Sequence, residues 1–176
     1  LKKEYDIIVL TGGATQARDL PIPGRSLKGL HFAVDYLKQQ NKRNRGLEVD
    51  EDEILATNKN VIVIGGGDTA NDCVGTAIRQ GAKNVYQLQR SSESERDSKG
   101  ASFWGKISAM TKNLVFEEGG IREYSVKPTA FSGEAGIVNK LHAIKLDENR
   151  EEIADSDFEI ECDLALFALG FLHPYY

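Results

Sequence analysis

One junction constrains the fold of this chain more than any other feature: a run of apolar residues that passes directly into three glycines. The run is Asn60-Val61-Ile62-Val63-Ile64, and Gly65, Gly66 and Gly67 follow it. Because the run is β-branched and too short for a helix, it predicts a central strand that is buried on both faces of a sheet. Parallel sheets are the usual setting for such strands.

The residues after the glycines complete a strand-helix-strand unit. Small and apolar residues recur at spacings of three and four, which predicts a helix that ends at Gly81. Residues 84–88 then predict a second strand. A unit of about thirty residues in this order is a parallel crossover, so the sequence predicts an α/β fold. The helical positions are Ala70, Cys73, Val74, Ala77 and Ile78.

The glycines fit the pattern G-x-G-x-x-A, which is typical of turns that bind a dinucleotide pyrophosphate. Gly65 would permit the tight turn, Gly67 would let a pyrophosphate approach the backbone, and Ala70 would allow the helix to pack closely on the strand. The helix N-terminus supplies N–H groups and a positive dipole end for phosphates. The full set of candidate residues is Gly65, Gly66, Gly67, Asp68, Thr69 and Ala70.

Other roles for this turn remain open on sequence alone. It could be a purely structural chain reversal, with Thr69 as a helix cap, or the glycine loop of a methyltransferase. A P-loop is excluded because no Gly-Lys-Ser/Thr follows at the required spacing. ATPase and kinase chemistry therefore have no support.

The end of the second strand indicates which coenzyme would be preferred. Domains that bind NAD place an acidic residue about twenty residues after the glycines, where it bonds the ribose 2′-hydroxyl. This chain has Leu88-Gln89-Arg90 there. Arg90, with Arg96 nearby, would hold a 2′-phosphate through charge-assisted hydrogen bonds, which favours NADPH over NADH. The alternative is that Arg90 is a solvated cation and Arg96 pairs with the acidic residues around it.

The rest of the chain predicts further elements around this unit. Residues 5–10 and 163–170 are each predicted to form a buried strand that ends near glycine, and residues 27–40 have the spacing of an amphipathic helix. Three later segments alternate as the strands of an antiparallel meander do. These segments are 124–131, 137–146 and 158–160, and a short helix at 103–110 and a third strand at 114–116 are also expected.

The two ends of the chain share a pattern. Residues 6–13 and 163–170 both begin with Asp, continue with apolar residues and end at glycine. Any two buried strands that are followed by glycine look alike, which is one explanation of the match. The other is that the two segments are connectors through which this domain is inserted into another one.

Composition and charge limit the kinds of partner and site that this chain can have. The 176 residues are enough for one domain with a sizeable core. The net charge of −5, without a dense basic block, disfavours nucleic acid and membrane surfaces as partners, and no apolar run approaches the roughly 20 residues of a membrane span. Cys73 and Cys162, far apart in apolar surroundings, favour a reducing compartment and hence the cytoplasm. No metal motif and no catalytic acid-base or nucleophile group is evident, and hydride transfer between cofactors requires positioning above all.

Two stretches are more specific than the glycine turn: Arg-Asp-Leu-Pro-Ile-Pro-Gly at residues 18–24 and Gly-Phe-Leu-His-Pro at residues 170–174. Together with the glycine turn, they resemble the small (beta) subunit of glutamate synthase, an NADPH-dependent oxidoreductase that contains FAD. The resemblance extends over nearly the whole chain. Further matching stretches are residues 14–17, 29–33, 61–72, 79–82, 122–125 and 168–169.

The resemblance implies a Rossmann-like, three-layer NAD(P)-binding domain with a central parallel sheet and an antiparallel β-meander, flanked by connector strands to an FAD domain. Residues 1–176 would form one domain fragment, with a nucleotide-binding core at about 25–162 and connectors at about 1–24 and 163–176. Gly12, Gly13 and Gly170 would lie near the junction where the nicotinamide meets the flavin.

The resemblance also implies cofactors and partners. NADPH, or NADH, would reduce FAD, and electrons would pass through iron–sulfur clusters to the large (alpha) subunit for glutamate synthesis from glutamine and 2-oxoglutarate. The family's FAD fingerprint and iron–sulfur cysteines do not occur in these residues. We therefore expect a piece of a longer protein that binds neither group and is inactive alone. Two other interpretations are another FAD or iron–sulfur reductase of this architecture and a non-catalytic nucleotide-binding module.

Overall fold

A computed structural model describes residues 3–9, 13–49, 52–93 and 118–174 of the protein. Within these residues the chain forms two sheets and two helices. The elements in chain order are β1 (Leu30–Phe32), α1 (Ala33–Asn44), β2 (Asn60–Ile64), α2 (Asp68–Arg79), β3 (Asn84–Leu88), β4 (Ile121–Glu123), β5 (Val126–Glu134), β6 (Ile137–Leu146), β7 (Glu152–Glu161) and β8 (Leu164–Phe167).

The predicted strand-helix-strand unit is confirmed and lies in a parallel five-stranded sheet, in the order β1-β8-β2-β3-β4. β2 pairs in parallel with β3 on one side and with β8 on the other. Ile64, the last residue of β2, lies opposite Leu88 of β3 and Phe167 of β8. Three neighbouring strands therefore end at the same level, and the loops that follow them meet at one edge of the sheet.

The parallel sheet is the middle one of three layers, because β2 is apolar on both faces. Val61 and Val63 pack in the cluster that contains α1 and α2. Ile62 and Ile64 point the other way and pack in the cluster that contains the antiparallel sheet. Complete burial contributes about 1.5–3 kcal/mol for each such side chain. The predicted fold class, a layered α/β domain with a central parallel sheet and a meander, is confirmed.

The predicted meander is confirmed as the antiparallel sheet β5-β6-β7. It is joined to the parallel sheet at the end of β3 by backbone hydrogen bonds. The Val126 N–H donates to the Gln89 carbonyl at 3.0 Å, and the Ser125 N–H donates to the Ser91 carbonyl at 3.2 Å. The first residues of β5 are thereby fixed at the edge where the parallel strands end.

The helix predicted over residues 27–40 is displaced along the chain, since α1 begins at Ala33 and ends at Asn44. Residues 30–32 form β1, in which Leu30 lies opposite Ala165 of β8. Gly29 precedes this strand with a φ of +95°, and a Cβ there would lie 2.8 Å from Val138 Cγ1. The apolar spacing indicated a helix, but pairing with a strand more than a hundred residues away determines the structure of residues 30–32.

The strand predicted at residues 5–10 is wrong for the part of it that the structure describes. Residues 5–9 contain no strand, and Ile7 and Val9 are 81% and 77% exposed. A strand needs a neighbour for its backbone hydrogen bonds, and none of the described strands lies beside this segment. The matching segment near the other end does form a strand, β8. The elements predicted at 103–110 and 114–116 lie outside the described residues.

Candidate functional site

A cavity of about 690 Å³ opens where β2, β3 and β8 end. The glycine turn forms one wall, and the start of the meander and the residues before β1 form the others. The lining residues are Arg18, Asp19, Leu20, Ile22, Ile64, Gly65, Gly66, Gly67, Thr69, Leu88, Gln89, Arg90, Ser91, Val126, Lys127, Pro128, Arg150, Ala168, Leu169 and Gly170. Ligands of open α/β sheets bind in crevices at this position, outside the carboxyl ends of the strands.

Gly65 allows two chain segments to approach each other at the base of the cavity. Its N–H donates to the Leu88 carbonyl at 3.0 Å, and its φ is +141°. A Cβ at this position would lie 2.2 Å from the Ala168 carbonyl oxygen. A side chain here would therefore force the turn away from the end of β8.

Gly67 has a different role, because its missing side chain leaves space on the cavity side. It is the N-cap of α2, with ordinary backbone angles (φ −83°, ψ −176°), and a Cβ there would meet nothing within 4 Å. A glycine cap also offers no side chain to the first turn of α2, and the Ala70 N–H donates to the Gly67 carbonyl at 3.1 Å. The space beside Gly67 is thus open to a ligand that can accept hydrogen bonds.

The structure brings most of the predicted glycine-turn residues to the cavity. Gly66 and Thr69 line it, whereas Asp68 is exposed in the first turn of α2 and is not among the lining residues. Ala70 is fully buried against the sheet, as expected for the small residue that lets the helix pack closely. Gly170 also lines the cavity.

The structure does not place three other predicted residues at the cavity. Gly13 is exposed and does not line the cavity. Gly12 and Arg96 lie outside the described residues, so the proposed flavin junction at Gly12 and the second phosphate contact at Arg96 stay predictions.

Arg90 follows β3 and reaches the cavity from the side predicted for the coenzyme ribose. Its side chain is exposed, lines the cavity and makes no hydrogen bond or ion pair with other described residues. A guanidinium in this position can meet a phosphate without first giving up a partner in that part of the structure.

Buried amide side chains connect the residue before Arg90 to the helix of the glycine turn. Gln89 is 2% exposed, and its Nε2 donates to Gln87 Oε1 at 3.3 Å. Gln87 Nε2 in turn donates to Oδ1 of Asn71 on α2 at 3.2 Å. This chain of amides, which no sequence pattern predicted, fixes the end of β3 relative to the glycine turn.

The cavity is lined by more basic than acidic side chains, although the protein as a whole carries a charge of −5. Arg18, Lys127 and Arg150 contribute basic groups that sequence analysis missed, in addition to Arg90. Lys127 forms an ion pair with Glu152 on β7. A local excess of basic groups in a concave site attracts anions, and two or three phosphates on one ligand would match it.

Asp19 is the acidic residue among those that line the cavity. Its Oδ1 accepts hydrogen bonds from Arg25 Nε at 2.7 Å and from the Leu20 N–H at 2.8 Å. Burial pushes the pKa of Asp19 upward, but these bonds and the charge of Arg25 outweigh burial and leave the pKa below its ordinary value. Arg25 also lies 4.6 Å from the centroid of the Phe167 ring. The ion pair therefore holds residues 19–25 against the end of β8.

The two cysteines are not placed for redox chemistry. Cys73 and Cys162 are free and fully buried, and they belong to the separate apolar clusters on opposite faces of the parallel sheet. Burial raises the pKa of Cys162 to about 12 and raises the pKa of Cys73 as well, with neighbouring acids adding to both shifts. Because the thiolate is the reactive form, neither side chain is a nucleophile in the folded protein.

Among the described residues, no three His, Cys, Asp or Glu side chains are grouped so that they could hold a metal ion. None of the described helices has the length and apolar character required to span a membrane.

A parallel sheet with a glycine turn and an open cavity at its carboxyl edge defines a dinucleotide-binding domain of the α/β class. The chain belongs to the pyridine nucleotide-disulphide oxidoreductase family, whose model matches residues 2–173. A ferredoxin reductase from Rhodopseudomonas palustris has the same fold, with a TM-score of 0.58 and 20% identity over 90% of this chain and 33% of its own.

Curated relatives narrow the comparison. The chain is 42% identical to the glutamate synthase [NADPH] small chain of Mycobacterium tuberculosis, over 99% of this chain and 37% of the relative. It is 36% identical to the glutamate synthase [NADH] of Schizosaccharomyces pombe, over 99% of this chain and 9% of the relative. The chain thus spans a little over a third of the small chain that it matches. The resemblance to glutamate synthase small subunits and the membership of a pyridine nucleotide-disulphide oxidoreductase family are confirmed.

Proposed function

We propose that this chain binds NADPH in the cavity and holds its nicotinamide for hydride transfer to FAD. The observation that carries the proposal is the cavity itself, in which a glycine turn with open space at Gly67 faces an excess of basic side chains. A dinucleotide phosphate carries negative groups, which an excess of basic side chains would attract. The residues fit the coenzyme, since the turn leaves a gap that a Cβ would narrow and Arg90 has no competing partner among the described residues.

Three parts of the cavity have distinct roles in this proposal. The turn at Gly67 and the first turn of α2 bind the pyrophosphate through N–H groups and the helix dipole. Arg90, at the end of β3, binds the 2′-phosphate. Residues 168–170, which follow β8, also line the cavity and would receive the nicotinamide.

The segments at the two chain ends support attachment to a flavin domain. Ala17 and Phe171 form an antiparallel bridge, and the Arg18 N–H donates to the Gly170 carbonyl at 2.9 Å. Residues 15–18 and 170–173 therefore run side by side, and Arg18 and Gly170 of these segments line the cavity. Ile7 and Leu172, which follow these contacts outward, are exposed apolar residues that a further domain of the same parent chain would cover.

The wider role follows from the curated relatives as a proposal. When bound, NADPH would supply a hydride to FAD, and the electrons would serve glutamate synthesis from glutamine and 2-oxoglutarate through the iron–sulfur clusters and the large (alpha) subunit. The residues of this chain would bind NADPH and orient its nicotinamide. The names of the relatives include both [NADPH] and [NADH], so coenzyme preference is the part of the proposal that needs a direct test.

Replacement of Arg90 by glutamine tests that preference. Hydrogen bonds to a charged group contribute about 1.5–3 kcal/mol, so Arg90→Gln should weaken NADPH binding by roughly 10- to 100-fold and leave NADH binding within about twofold. Isothermal titration calorimetry at fixed salt measures both affinities. Arg45→Gln, an exposed arginine after α1 that does not line the cavity, is the matched control. Equal affinities of wild type and Arg90→Gln for NADPH would contradict the 2′-phosphate assignment.

A further inference from the structure

The turn between β6 and β7 places an arginine on the cavity wall in an unusual backbone conformation. Arg150 lines the cavity, and its φ is +65°. This left-handed region suits glycine and asparagine, whereas other L-residues adopt it at a conformational cost. Such residues persist where the surrounding structure holds them, and they are often found at binding sites.

Asp147 holds this turn in shape. Its Oδ1 accepts hydrogen bonds from the N–H groups of Asn149 and Glu151, each at 2.9 Å. The backbone adds a bond from the Asp147 N–H to the Glu151 carbonyl at 2.9 Å and one from the Arg150 N–H to the Asp147 carbonyl at 3.1 Å. The main chain that carries Arg150 is therefore ordered before any ligand arrives.

Backbone hydrogen bonds also fix the turn beside the end of β3. The Leu146 N–H donates to the Ser125 carbonyl at 2.7 Å, and the Ser125 N–H donates to the Ser91 carbonyl at 3.2 Å. Arg150 is four residues past Leu146, and Arg90 immediately precedes Ser91. Both arginines line the cavity, and these backbone bonds join the segments that carry them, although sixty positions separate them in the sequence.

We propose that Arg150 is a second binding residue for the phosphate monoester on the adenosine ribose, and that it acts from the meander while Arg90 acts from the parallel sheet. The proposal rests on the proposed function, because it requires a 2′-phosphorylated dinucleotide in this cavity. Two guanidinium groups on different elements can contact different oxygens of one phosphate dianion, since arginine presents its donors in a fixed planar fork. Coenzyme selectivity is thereby shared between two sheets.

The variant Arg150→Gly separates binding from structure. Glycine adopts a φ of +65° without strain, so the variant should melt at the same temperature as wild type or above it. NADPH binding should weaken by about 10-fold, and NADH binding should change by less than about twofold. Arg150→Gln should give the same loss of NADPH affinity with the side-chain length retained, while Arg45→Gln should leave both affinities unchanged.

Calorimetry with NADPH and NADH on these variants tests whether Arg150 binds the 2′-phosphate. Unchanged NADPH affinity in Arg150→Gly, or equal losses of NADPH and NADH affinity with a lower melting temperature, would overturn the assignment. A wild-type chain that binds neither coenzyme would refute the proposed function itself, and this inference with it. If wild type binds NADPH and the Arg150 variants lose NADPH affinity while they keep NADH affinity, both proposals are supported.

Discussion

Replacement of Gly67 by valine is expected to abolish measurable NADPH binding while the protein remains folded. The space beside Gly67 is open, so the valine side chain would occupy the volume that the pyrophosphate needs. We expect a loss of at least about 100-fold in affinity, which corresponds to about 2.7 kcal/mol. Titration calorimetry of Gly67→Val with NADPH, beside wild type in the same buffer, measures this loss.

The fold of the Gly67→Val variant serves as its control. The native φ and ψ at position 67 are accessible to any residue, and valine is a poorer N-cap than glycine by about 1 kcal/mol. Circular dichroism and urea unfolding should therefore show a native spectrum and a small loss of stability. Native-like NADPH affinity in this variant would remove the glycine turn from the binding site.

Gly65→Ala, in contrast to Gly67→Val, is expected to destabilise the fold. The new Cβ would lie 2.2 Å from the Ala168 carbonyl oxygen, and a φ of +141° is unfavourable for alanine. Backbone strain and overpacking of this kind each cost about 1–3 kcal/mol, so we expect a loss of about 2–4 kcal/mol in the free energy of unfolding. Urea unfolding followed by circular dichroism measures the loss.

Gly67→Ala is the matched control for Gly65→Ala, because it adds the same methyl group two residues away in open space. The two variants should differ in unfolding midpoint, with Gly67→Ala close to wild type. Equal stability of Gly65→Ala and Gly67→Ala would contradict the close approach between the glycine turn and β8. The pair thus separates the glycine that shapes the turn from the glycine that leaves room for the ligand.

The centre of the fold was predictable from sequence because its signals are local. β2 and β3 are predicted by their apolar residues, and the helix between them is bounded by glycines at both ends. The structure of residues 30–32 was not predictable in this way. Their apolar spacing fits a helix, and only the pairing of β1 with β8 makes them a strand. Residues 5–9 show the same limit, since an apolar segment forms a strand only where a neighbour offers hydrogen bonds.

Local sequence patterns identify some residues of the candidate site but not others. Gly67 and Arg90 could be identified because each lies at a fixed distance from a predicted strand end. Arg150 could not be identified in this way, because its position depends on the hydrogen bonds that join β5 to the end of β3 and on the turn that follows β6. The sequence Asp-Glu-Asn-Arg at residues 147–150 indicates a turn between alternating strands, but it does not indicate which surface that turn faces.

The most direct test of the central claim is an NMR titration of the backbone amides of this chain with NADPH. We expect saturable one-to-one binding, with the largest shift changes in the glycine turn at residues 65–70, at residues 88–91 and in the turn at residues 147–151. Gly67→Val should remove these changes. Saturable binding with shifts concentrated elsewhere, or no binding at millimolar NADPH, would contradict the assignment of this cavity as the coenzyme site.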